Sequence, residues 1–166
     1  MPPPTIHVQI DEPFAAFVPE ARLDQVVRAT LQHLAVAAGE LTVVVTDDEA
    51  LRALNYRFRG VDAATDVLSF GGPAEGPEDF PAPGSDERPY LGDVVIAYPS
   101  AERQARAQGH SALEEVLLLA VHGTLHLMGY DHSTAAEKAR MWAAQAAILA
   151  GHPANRGRMM PNDDQQ

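Results

Sequence analysis

The sequence predicts a single α+β domain: a small mixed sheet of four strands packed with about five helices. Three observations carry that prediction. Its 166 residues suffice for one domain with a core of its own. The balance of 46% hydrophobic and 21% charged residues is that of a globular chain. Four short apolar or β-branched runs are interleaved with five segments of helical periodicity, in the order β-α-β-α-β-loop-β-α-α-α.

Ile6 to Ile10 reads as the first strand. Pro19 to Ala38 reads as a helix, with Leu23, Val26, Val27, Thr30, Leu31 and Leu34 on one side and Gly39 as its stop. Leu41 to Val45 is the second strand. Thr46-Asp-Asp-Glu49 has the form of a capping box, in which a hydroxyl and a carboxylate satisfy the free N–H groups of a helix start. The helix it opens runs through Leu51, Leu54 and Phe58 to Gly60. Val67 to Phe70 is the third strand. Leu91 to Tyr98 is the fourth, closed by Pro99. Ser100 to Gln108 is a short polar helix stopped by Gly109. Ser111-Ala-Leu-Glu114 and Thr134-Ala-Ala-Glu137 are two more capping boxes, opening helices to Met128 and to Ala150–Gly151. Strands joined by helices favour parallel pairing, and the long connection before Leu91 permits an antiparallel return. The domain is expected over 1–152, with an acidic Pro/Gly loop inserted over 71–89. A polar tail over 153–166 is expected to be disordered.

Charge and composition exclude several classes. Twelve basic and 23 acidic residues give a net charge of −11, which argues against broad affinity for nucleic acid but not against a local basic patch. Five of the acids lie between Gly71 and Pro89, beside one arginine, Arg88. There is no cysteine, so a disulfide framework and thiolate metal sites are excluded, and any metal must be held by His, Asp or Glu. The chain opens without a basic and apolar leader, and its most apolar run, Val116 to Val121, is too short to span a membrane. A cytoplasmic location is the expectation.

Three of the seven histidines fall within eleven residues, His122-Gly-Thr-Leu-His126-Leu-Met-Gly129-Tyr-Asp-His132. Residues four apart share one face of a helix, so His122 and His126 project together. Gly129 lets the helix end and the chain return His132 to the pair. Three imidazoles on one cation leave a fourth position for water, the arrangement of a catalytic site rather than a closed structural one. The helix that carries them is apolar nearly all round and is expected to be buried, which holds ligands rigidly. The pattern H-x-x-x-H-x-x-G-x-x-H is the zincin scaffold of the metzincin proteases, with one departure: their general-base glutamate after the first histidine is Gly123 here. Asp131 is a candidate proton carrier or a support for a ligand, and equally a turn residue. His7, His33, His110 and His152 have no partner at ligand spacing and read as surface or core residues.

Two further stretches accompany the cluster. Leu54-Asn55-Tyr56-Arg57-Phe58-Arg59-Gly60 leads into Thr65-Asp66-Val67-Leu68-Ser69-Phe70, and Leu91-Gly92-Asp93-Val94-Val95-Ile96 follows. Together with the histidine motif they resemble the YbeY family of bacterial endoribonucleases, also called rRNA maturation factors, over about residues 40–150. The resemblance implies a metal-dependent hydrolase acting on single-stranded RNA in the cytoplasm. Its implied roles are maturation of the 3′ end of 16S rRNA and ribosome quality control. It implies Zn²⁺ on His122, His126 and His132, and a functional arginine at Arg59. Ribosomal RNA and small-subunit ribosomal proteins become the expected partners, with no membrane and no DNA. Family members often have Pro before the threonine of Thr65–Phe70, where this chain has Ala64, and the acidic segment reads as an expanded loop.

The chemistry of Arg59 agrees, because a guanidinium fork suits the oxygens of a phosphate under attack. Arg52 and Arg57 read instead as solvated helix residues paired with Asp47, Asp48 or Glu49. Thr65, Asp66 and Ser69 fit a strand edge facing the metal, and equally hydrogen bonding at a sheet end. Asp93 fits a cap or a support for a ligand histidine. Spacing does not choose zinc over nickel or another imidazole-seeking ion. Two rival functions stand beside the nuclease: a peptidase, against which Gly123 counts, and a ribosome-assembly factor whose metal is structural.

Overall fold

The β-branched run Glu40-Leu-Thr-Val-Val-Val-Thr46 forms strand β2, buried from Leu41 onward because it has a neighbour on each side and helices on both faces. The computed structural model describes residues 3–72 and 88–152. In chain order the elements are β1 (Thr5–Ile10), α1 (Glu20–His33), β2 (Glu40–Thr46), α2 (Asp48–Arg59), β3 (Val67–Gly71), β4 (Tyr90–Ala97), α3 (Tyr98–Gln108), α4 (Ala112–Leu127) and α5 (Ala135–Leu149), with a 3₁₀ turn over Glu12–Phe14. The sheet order is β1-β2-β4-β3. β1, β2 and β4 are parallel, and β3 returns antiparallel to β4. The mixed sheet and the five helices agree with the sequence reading. The proposed acidic loop lies outside the described residues except at its ends, and the tail lies outside them altogether.

Alternation along the strands sorts the sheet into two faces. Leu41, Val43, Val45, Val67, Val94 and Ile96 face one way and pack with Leu23, Val27 and Leu31 of α1 and Leu117, Leu118 and Val121 of α4. Val44, Leu68, Phe70, Val95 and Ala97 face the other way, onto Leu51, Leu54 and Phe58 of α2. Helix α5 packs against α4 and α1. Among the described residues no helix is long and apolar enough to cross a membrane.

Several element boundaries differ from the sequence reading, most by one or two residues, and three of them have a clear local reason. Helix α1 stops at His33, not Ala38. Ala35 takes a left-handed φ of 57°, and the N–H groups of Ala35 and Val36 donate to Gln32 and Leu31. That is a Schellman closure with alanine where glycine is usual. The cap of α2 is Asp47, whose side chain accepts from Ala50 N, while Thr46 remains in β2 and donates to Asp11 at 2.6 Å. Pro99 does not follow a strand through Tyr98; it sits in the first turn of α3, where a missing N–H removes nothing.

Candidate metal centre

Helix α4 begins at Ser111, whose hydroxyl accepts from Glu114 N at 3.1 Å, and is buried from Glu115 to Leu125. It ends beyond His126 in another Schellman closure. Gly129, at φ 95°, donates to His126 O, and Tyr130 donates to Leu125 O at 3.0 Å. The turn reverses the chain and returns His132. One nitrogen from each of His122, His126 and His132 then lies within 4.8 Å of the others. The ring centroids are 4.7, 5.1 and 5.6 Å apart.

Each imidazole is fixed by contacts of its own or of the loop that carries it. His122 and Gln145 of α5 are both fully buried, and Nδ1 of His122 lies 2.7 Å from Gln145 Oε1. An amide oxygen can only accept, so Nδ1 carries the proton and Nε2 keeps its lone pair for a cation. His126 makes a hydrogen bond with the backbone of Tyr130. Its Nε2 is buried and has no partner among the described residues. A buried ring nitrogen left unpaired is costly unless something binds it. Burial, and then the proximity of His132, holds the His126 pKa below the ordinary imidazole value, favouring the neutral form that ligates. Asp131 accepts from His132 N at 2.7 Å and from Ser133 Oγ at 2.9 Å. Those two bonds hold its carboxyl below the usual range and fix the loop that presents His132. The donor set and the unpaired nitrogen fit one divalent cation of the imidazole-binding kind.

Gly123 has a reason of its own. A Cβ placed there would lie 2.6 Å from Val94 Cγ1 and 3.1 Å from Ser69 Oγ. Helix α4 therefore approaches β4 so closely that a side chain at the position where a zincin carries its glutamate would have to displace Val94. Ser69 uses that closeness and donates its hydroxyl to Gly123 O at 3.0 Å. Its own carbonyl accepts from the Arg59 guanidinium at 2.5 Å, and that guanidinium stacks 5.0 Å from the centre of the Phe70 ring. The connection runs Arg59–Ser69–Gly123, ending beside His122.

The other candidates lie elsewhere. Asp93 follows the parity of Val95 and faces α2, not the histidines. It accepts from the Tyr90 hydroxyl, which also contacts Thr42 Oγ1 at 2.6 Å, and burial lifts its pKa to about 6. Asp66 accepts from Gln104 of α3 at 2.7 Å. Burial first, and the nearby charge of Glu115 in addition, raise its pKa to about 7. Thr65 is half-buried at the end of the loop before β3. Arg52 pairs with Asp62 at 2.7 Å, not with the acids that open α2, and Arg57 stacks on Phe58. His7 meets Glu40 at 3.0 Å, and the buried His110 meets the buried Glu115 at 2.6 Å.

Sequence reasoning missed two residues of α5. Gln145 is the polar member of a buried stripe otherwise made of Met141, Ala144, Ile148 and Leu149, a signal that was readable. Trp142, the chain's one tryptophan, sets its ring 5.8 Å from that of His122 and 5.9 Å from that of His132.

Comparison with known proteins adds relatives to this geometry. The family model described as "Endoribonuclease YbeY" matches residues 9–152. A Moorella thermoacetica protein named endoribonuclease YbeY is 50% identical over 128 residues, covering 73% of this chain and 81% of its own. One of the same name from a Roseiflexus species is 44% identical over 149 residues, covering 87% and 91%. The solution structure of a Thermotoga maritima protein aligns with TM-score 0.56 at 20% identity, covering 98% of this chain and 99% of that one.

Proposed function

This chain belongs to the endoribonuclease YbeY family, and we propose on that premise that it hydrolyses phosphodiester bonds of single-stranded RNA in rRNA maturation. The reading extends to the 3′ end of 16S rRNA, to ribosome quality control and to a cytoplasmic location. Ribosomal RNA is the substrate, and small-subunit ribosomal proteins are candidate partners. The observation that carries it is the convergence of three imidazole nitrogens within 4.8 Å beside a glycine that admits no carboxylate.

His122, His126 and His132 hold the cation, proposed as Zn²⁺ with Ni²⁺ as the other imidazole-seeking choice. A bound divalent metal supplies a Lewis acid for a phosphoryl oxygen and lowers the pKa of a water. Arg59 contributes positive charge where negative charge gathers on the phosphate. Its fork is pinned by the Ser69 carbonyl and the Phe70 ring, which leaves further N–H donors for phosphate oxygens. Ser69 ties that arginine to α4, so the distance from phosphate clamp to ligands is set by strand and helix, not by a flexible loop. Asp131, held ionised by two hydrogen bonds, supports His132 and is a poor proton donor near neutral pH.

Gly123 counts against a peptidase: the general-base carboxylate is missing there, and a Cβ at that position would lie 2.6 Å from Val94 Cγ1. The test of the nuclease reading is cleavage of a single-stranded RNA by metal-loaded protein, with Arg59→Ala and His126→Ala beside it. Both variants lose cleavage, and His126→Ala also loses the roughly one equivalent of metal that wild type retains by mass spectrometry. A wild type that holds metal and cuts no RNA supports the non-catalytic assembly factor instead. Cleavage at the wild-type rate by both variants would expose a contaminating nuclease.

A further inference from the structure

Trp142 is not needed for ligation, yet it stands beside two of the three ligand rings. It is half-buried, packed against the main core and not enclosed by it. Arg59 approaches the centre from the β3 edge, through Ser69 and Gly123. Trp142 approaches from α5, against His122 and His132. The indole lies 5.8 and 5.9 Å from the rings of His122 and His132, so a nucleoside adjoining a phosphate held at the histidine cluster would come within its reach.

We propose that Trp142 is the platform on which an unpaired nucleobase next to the scissile phosphate stacks. The proposal rests on the endoribonuclease reading and names the part of the site that recognises the base. Every nucleobase has a π-face, so a tryptophan reads being unpaired and not sequence. A base inside a duplex has both faces covered by its neighbours and cannot reach the indole. The platform is thus a physical source of selection for single strands, which the metal and Arg59 do not supply because phosphates are common to both forms. The net charge of −11 makes such a contact more necessary, since the chain has little general attraction for the backbone.

A chain with one tryptophan reports on that residue alone. Zinc-loaded protein is mixed rapidly with dodeca-adenylate, with a wholly abasic strand of equal charge, or with dodeca-adenylate paired to dodeca-uridylate. Tryptophan emission is read before turnover. Dodeca-adenylate quenches emission. The abasic strand binds about tenfold more weakly or worse and does not quench, and nor does the duplex. Trp142→Ala binds dodeca-adenylate as weakly as wild type binds the abasic strand and raises KM while leaving kcat near wild type. Trp142→Phe keeps most of the affinity. Equal wild-type affinity for the dodeca-adenylate and abasic strands overturns the platform. So does a Trp142→Ala variant that still prefers bases by the wild-type factor. Should Trp142→Ala lose its metal or its fold, the wild-type comparison of strands and the Trp142→Phe variant still decide. A wild type that neither binds nor cuts single-stranded RNA defeats the endoribonuclease reading; one that cuts it without distinguishing the strands defeats the platform alone.

Discussion

Replacing Gln145 by leucine tests the orientation of the first ligand. Leucine keeps the apolar volume of the stripe on α5 and removes the oxygen 2.7 Å from His122 Nδ1. Both side chains are fully buried, so water cannot replace that acceptor. A buried donor left unpaired costs about 1–3 kcal/mol. The metal-free protein can escape part of that cost by moving the proton to Nε2, and the cation must then displace it. The loss therefore falls on metal affinity, by about 10- to 100-fold, the usual effect of removing the partner of a ligand histidine. Competition for zinc against a chelator measures it, and long-range ¹H–¹⁵N spectra of His122 report the tautomer directly. Gln145→Glu keeps an acceptor and holds zinc within about threefold of wild type or more tightly, since a carboxylate raises imidazole basicity. A folded Gln145→Leu protein with wild-type zinc affinity would refute the reasoning.

Three other perturbations follow from the packing. Gly123→Ala gains about 1 kcal/mol of helix propensity and loses about 1–3 to the collision with Val94. It should lower stability in wild type and raise it in a Val94→Ala background; urea titrations giving one sign in both backgrounds would remove the contact as the cause. Asp66 has a folded pKa of about 7, above its unfolded value of about 4. Its raised pKa contributes stability at low pH that is lost as pH rises from about 4 to about 7. Asp66→Asn should flatten that decline and melt higher than wild type at pH 8 but not at pH 4; parallel stability–pH curves would contradict it. Ala35→Gly removes a left-handed alanine worth about 1–2 kcal/mol of strain and adds unfolded-chain entropy worth about 0.4–1. A rise of a few degrees in Tm is expected, and a fall would mean that α1 does not close at Ala35.

The elements were legible because local chemistry announces them. The caps at Ser111 and Thr134, the β-branched run at Leu41–Val45 and the glycines at 60, 109 and 129 each fix a boundary by a short-range rule. The reading slipped where two rules compete. Thr46 looks like a cap, yet the sheet claims it, because its backbone pairs with Ala97 and its hydroxyl with Asp11. Gly39 looks like a helix stop, yet α1 closes earlier, on an alanine. In the site, the histidine spacing was legible because all three ligands lie within one helix and its turn. Gln145 and Trp142 come from the next helix, and contact across 10 to 23 residues leaves no periodic trace. Asp93 misled for the same reason: its place in sequence says nothing about which face of the sheet it takes until β4 is paired.

The closeness of the sheet bears on what can stand beside the first histidine of the cluster. A zincin glutamate needs room between the ligand helix and its neighbour. Here Val94 and Ser69 fill that room, and Ser69 turns the contact into a hydrogen bond to the helix backbone. The proton acceptor that a peptidase places beside the metal is thereby exchanged for a route, through the same serine, to a guanidinium. Amide hydrolysis needs a base and a proton shuttle. Phosphodiester hydrolysis starts from a substrate already anionic and gains most from positive charge fixed at the right distance. On the proposed reading, Arg59 tied through Ser69 to α4 would provide that charge without a carboxylate whose repulsion would oppose the phosphate. In the proposed nuclease the glycine would thus take part in the selection of substrate: it admits the sheet, the sheet carries the serine that holds the arginine, and no carboxylate stands at that point to oppose a nucleic acid.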